Sequence, residues 1–190
     1  MEAGRHRALM DDALAHEASA QRRLLEGDRA GAAEELRSAA RSYRASWEAA
    51  GPSAYGRLVG ELKASVLAGD ATEAAEHARG AIGEPTSPTS AYAAAIAALV
   101  LGDDQGAARA AEEMRGASAA FERAADAIAA LSARDADAYR DAIAAIVADF
   151  EARPAHLTGV AIADTALMLE RLAEPRGMAS GVESPLLPPS

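Results

Sequence analysis

One short phrase punctuates this chain. A leucine is followed within three residues by Gly-Asp at Leu25-Glu26-Gly27-Asp28, Leu67-Ala68-Gly69-Asp70 and Leu101-Gly102-Asp103, with Leu131-Ser132-Ala133-Arg134-Asp135 as a degenerate fourth copy. Glycine enters left-handed backbone at a helix end without steric cost, and an aspartate after it can accept from the first free amides of the next helix. The phrase therefore predicts tight turns between antiparallel helices. Between the turns alanine supplies 54 of 190 residues while aromatics are only 4%. Alanine is the strongest helix former, and a core of such small side chains requires helices in close approach. The fold expected is all-α, with eight to ten helices.

Periodicity and breakers place the segments. Helices are predicted over Glu2–Leu25, Arg29–Ala50, Ala54–Leu67, Ala71–Ile82, Thr89–Leu101, Asp104–Arg115, Ala119–Ala133, Asp135–Arg153 and Val160–Ala173. The clearest amphipathic face belongs to the eighth, where Tyr139, Ile143, Ile146, Val147 and Phe150 fall at helical spacing. Gly51-Pro52-Ser53 and the Pro85/Pro88 segment are unambiguous breaks, because proline withholds an amide and forces extended geometry on the residue before it. The reading is one helical domain over 1–173 and an extended, proline-containing tail over 174–190, with Leu186-Leu187 pinned to the body.

The capping aspartates Asp28, Asp70, Asp103 and Asp135 recur at intervals of 42, 33 and 32 residues, the later two near the length of one two-helix repeat. Ala74-Ala75 and Ala107-Ala108 supply small residues for close packing in the second helix of each pair. Over about Leu9 to Phe150 the chain resembles the tetratricopeptide-like group of helical-hairpin repeats. That resemblance implies hairpins stacked as a short solenoid; a compact multi-helix bundle of the same hairpins satisfies the pattern equally.

Several chemistries lack their residues. There is no cysteine, hence no disulfide, thiol nucleophile or thiolate metal site. The four histidines, His6, His16, His77 and His156, form no His-Glu-x-x-His pair, and Gly102-Asp103-Asp104-Gln105-Gly106 is too short for a calcium loop. No phosphate-binding glycine loop or nucleophile elbow occurs, so no metal and no cofactor is expected. A net charge of −10 opposes binding to nucleic acid or an anionic membrane; Arg37, Arg41 and Arg44 form the one local basic stripe, diluted by Glu34 and Glu48. The longest strongly apolar run, Ala91 to Leu101, is about half a membrane span. Met1 to Met10 is charged and lacks the apolar region of a secretory signal, which points to a cytoplasmic protein.

The most particular segment runs from Arg153 to Met168, where His156, Thr158 and Asp164 gather at the mouth of an apolar helix. With Arg153, Tyr92 and Tyr139 these are the candidate binding residues; no catalytic residue is assigned. The structural alternative has Thr158 or Gly159 capping the last helix and Asp164 bonding to Arg153 or Arg171. Three functions follow in order: a non-catalytic protein–protein interaction or adaptor module, a small-molecule carrier or sensor with a pocket between helices, and an enzyme using His156 and Asp164. A homodimer is expected through the Trp47 hairpin or the Leu169–Leu172 helix.

Overall fold

The structure, a computed structural model, describes residues 2–189. Among them are nine α-helices and no strand: α1 Glu2–Leu25, α2 Arg29–Ala50, α3 Gly56–Ala68, α4 Thr72–Ile82, α5 Pro88–Val100, α6 Asp104–Glu113, α7 Ala119–Ala133, α8 Ala136–Glu151 and α9 Asp164–Ala173. A single 3₁₀ turn follows at Glu174–Arg176. The all-α expectation holds.

The four phrase turns share one geometry. Gly27, Gly69 and Gly102 have φ of 82°, 87° and 77°, and in the degenerate copy Arg134 takes the same left-handed position at 59°. In each, the amide of the following aspartate donates to the carbonyl five residues back: Asp28 to Arg23, Asp70 to Ser65, Asp103 to Ala98 and Asp135 to Ala130, at 2.9 to 3.1 Å. Asp28, Asp103 and Asp135 then cap the next helix by accepting from the amides of Gly31, Gly106 and Ala138. Asp70 departs from this pattern. Its carboxylate accepts from Arg37 Nε at 2.7 Å, and α4 starts later, at Thr72, without a side-chain cap.

Packing is mostly between sequence neighbours, and α3, α5 and α7 also touch in succession. α9 returns against α3, α7 and α8. Leu58, Leu62, Ile96, Ile128, Leu131 and Ile143 are fully buried, with alanines such as Ala75, Ala93 and Ala125 setting the close helix spacing. All five apolar residues read on the α8 face are buried. Around Tyr43 a second cluster joins α1, α2 and α3 through Ala13, Ala20, Leu36, Ala39 and Ala64. Gly60 permits this contact, since a methyl there would lie 2.6 Å from the Tyr43 ring.

The last helix differs from its predicted span. It begins at Asp164, four residues after Val160, because 160–163 is not helical: the Ala163 amide donates to the Leu186 carbonyl at 2.8 Å, and Val160 and Ile162 are buried among Ala18, Leu24 and Ala32. Neither Thr158 nor Gly159 caps it, its N-cap being Ala163 with no side-chain bond. Leu186 and Leu187 pack on the core. Leu169 and Leu172 are buried within the chain, so the α9 leucines expected at a dimer contact spend their surface internally. Arg176 donates to the carbonyls of Leu99 and Leu172 and pairs with Asp104 at 2.8 Å, tying the ends of α5 and α9 to the start of α6.

Two substitutions test the turns. Gly102→Val forces a branched side chain into left-handed backbone and should destabilise by about 1 to 2 kcal/mol, whereas Arg134→Gly relieves a non-glycine residue there and should stabilise by about 0.5 to 1 kcal/mol. Denaturant midpoints check both. Gly60→Ala should also destabilise, against the roughly 1 kcal/mol that alanine gains over glycine in an open helix, because its methyl collides with Tyr43.

Candidate functional site

The chain's only lysine organises the interior between α1, α3 and α9. Lys63 Nζ lies 2.9 Å from Glu17 Oε1 and 2.6 Å from Asp164 Oδ2. The Lys63 and Asp164 side chains are each 14% exposed, and Glu17 is 2% exposed. The Tyr43 hydroxyl donates to Glu17 Oε2, and Gln21 Nε2 reaches both Glu17 and Asp164 at 3.4 Å. Thr158 Oγ1 donates to Gln21 Oε1, which brings the α8–α9 loop into the same network. Burial pulls the Lys63 ammonium down, but the charges of Asp164 and Glu17 and their hydrogen bonds outweigh it and hold it well above a lysine's ordinary value. The two carboxylates favour its ammonium form. Asp164 therefore bonds to Lys63 and Gln21 rather than to Arg153 or Arg171.

A cavity of about 260 Å³ adjoins this network. Val59, Phe121, Ala124, Ile146 and Phe150 supply its apolar lining, and Thr89, Tyr92 and Thr165 also line it. Its only charged lining residues are Arg123, Asp149 and Arg153. Arg123 Nη2 donates to Asp149 Oδ1 at 2.5 Å, and Arg153 reaches Asp149 Oδ2 through Nε at 3.0 Å and Nη2 at 2.6 Å. The Arg153 guanidinium also lies 3.7 Å from the centre of the Phe150 ring. Tyr92 stands edge-on to Phe121, their ring centres 6.1 Å apart. Burial pushes its hydroxyl up to about 12, with Lys63 pulling down and Asp164 pushing up.

The six candidate residues thus separate. Tyr92 and Arg153 line the cavity. Asp164 and Thr158 belong to the Lys63 network behind it. His156 stacks on Phe150, ring centres 6.2 Å apart, and its buried Nδ1 has no hydrogen-bond partner. Tyr139 is buried on the core face of α8; burial and then the Glu170 carboxylate push its hydroxyl up, yet it makes no hydrogen bond of ordinary geometry. Sequence reading missed Lys63, Glu17, Gln21, Arg123 and Asp149. A lone lysine in a chain with eighteen arginines was the one available signal.

Elsewhere, the basic stripe of α2 is largely matched by acid: Arg37 pairs with Asp70, and Arg44 with Glu61 and Glu73. His77 also bonds to buried Glu61. Among the described residues no group of three or more His, Asp or Glu is placed to hold a metal ion, and no helix is long and apolar enough to cross a membrane. Comparison of the chain with protein-family models, curated proteins and solved structures finds no match.

Lys63→Met strips the cation from two buried carboxylates and should destabilise by about 3 to 5 kcal/mol. The pH response distinguishes this cause from lost packing. In the parent protein the lysine's raised value keeps its contribution complete below about pH 10.4, and the contribution is lost as pH rises through the higher folded value. In the variant, folding is eased when the orphaned carboxylates take up a proton, so stability should rise as pH falls from 8 to 5. Urea unfolding across that range checks the sign.

Proposed function

We propose that this protein binds a small molecule in the cavity bordered by α3, α5, α7, α8 and α9, and carries out no reaction on it. The cavity carries this reading: an apolar wall with a few convergent polar groups along it is the usual character of a ligand pocket. Lys63, the interior group best suited to nucleophilic work, is locked as an ammonium by two carboxylates. The rigid charge network behind the cavity supports a preformed site over one assembled on binding.

The adaptor reading needs a docking face. An interface of standard size takes roughly 20 to 30 residues per partner around an apolar centre. Among the described residues the large exposed apolar side chain is Leu157, 75% exposed on the α8–α9 loop. α9 also lies along α3 and α7, where a groove between stacked hairpins would otherwise receive a partner. The small-ligand reading therefore accounts for more of the molecule.

Native mass spectrometry of the gently purified protein tests the proposal. A stoichiometric small-molecule adduct is expected, and it should be lost in Ala124→Leu, which extends a side chain into the cavity, and in Val59→Phe. An adduct unaffected by both variants, or a stoichiometric protein partner with no small molecule, would overturn it.

A further inference from the structure

The charge of the cavity points to the class of its ligand. Two guanidinium groups share one carboxylate, which leaves one positive charge uncompensated among the lining residues of a chain whose net charge is −10. The three side chains are 27% to 36% exposed, so water screens the surplus charge less than on an open surface. Arg123 spends one N–H on Asp149 and Arg153 spends two, leaving donors on both guanidinium groups. Asp149 and the Phe150 ring hold those groups in place before any ligand arrives, so little order is lost on binding.

Backbone adds to the same sign. Gly56, Thr89, Ala120 and Thr165 come from the first turns of α3, α5, α7 and α9, and all four line the cavity, so the positive ends of four helix dipoles border one space. The N-termini of α3 and α9 have no side-chain cap. The same cavity is lined by the hydrocarbon of Val59, Phe121 and Ile146.

We infer that the cavity takes a small monocarboxylic acid with an apolar body, its carboxylate seated on Arg123 and Arg153 and its chain against Val59, Phe121 and Ile146. The inference rests on the small-ligand reading above and deepens it. One surplus positive charge matches one carboxylate; a second anionic group would face Asp149 without compensation. A cationic ligand meets two arginines, and a neutral alcohol leaves the free guanidinium donors without an anion.

Four probes with one apolar body separate the outcomes: hexanoate, hexanol, hexylammonium and hexyl phosphate, titrated into the whole protein by calorimetry or ligand-observed magnetic resonance. Hexanoate is expected to bind at least about tenfold more tightly than hexanol, a difference of about 1.4 kcal/mol, with hexylammonium weakest. Added salt should weaken hexanoate and spare hexanol. Arg123→Gln and Arg153→Gln should each remove most of the preference for the acid, while Arg123→Lys, which keeps the charge, should retain part of it. Circular dichroism of each variant confirms that it is folded. Equal binding of hexanoate and hexanol, both lost in Ala124→Leu, overturns the carboxylate assignment and leaves the cavity reading standing. Preference for hexylammonium, or tighter binding of hexyl phosphate than of hexanoate, also overturns the assignment. Binding of none of the probes overturns it, and the adduct experiment then decides separately whether the cavity is a site at all.

Discussion

The interior of this protein depends on one ammonium group. Lys63 on α3 holds Glu17 of α1 and Asp164 of α9, so a single side chain joins the beginning, middle and end of the chain. Burying two carboxylates near one another is tolerable only with a cation between them and hydrogen bonds on their remaining lone pairs. Tyr43 and Gln21 supply those bonds, and Thr158 satisfies Gln21 in turn. The partners come from α1, α2, α3, α9 and the loop before α9, so the network can close only when these five segments are in register.

Such a cluster contributes more to the choice of arrangement than to the sum of stability. A buried ion pair is often no more stabilising than hydrocarbon of the same shape, but breaking one is costly because an uncompensated charge stays inside. An alanine-rich core needs that discrimination. Small, similar side chains such as Ala75, Ala93 and Ala125 fit against one another in many registers, and they distinguish between alternatives less sharply than large side chains do. Gly60 under the Tyr43 ring and the Lys63 network behind it select one.

The cavity inherits its shape from this arrangement. Thr165 follows Asp164 directly, so the pairing that fixes α9 on α3 also sets one edge of the pocket. Tyr92 lines the cavity edge-on to Phe121, and the charges of Lys63 and Asp164 act on its hydroxyl. Elsewhere along its lining, Asp149 orders two arginines by accepting from both. The cavity and the docking of the last helix therefore share supports.

The amino-acid sequence by itself determined the helices and the turns between them, because these rest on local chemistry. A left-handed residue before an aspartate sets a helix end whatever surrounds it, and even Arg134 follows that rule. The buried face of α8 was legible for the same reason, since its periodicity is internal to one helix. Only the tertiary structure decided the partners of Lys63, which stands 101 residues from Asp164, and the meeting of Arg123 with Asp149 across α7 and α8. It also decided where α9 begins: the stretch before it trades a helical turn for a backbone bond to Leu186 and burial of Val160 and Ile162, a competition that no local propensity registers. Of the candidate residues, Tyr92 and Arg153 line the cavity while Asp164 and Thr158 lie behind it, because a pocket is a property of helix ends brought together in space and carries no signature in the spacing of its parts along the chain.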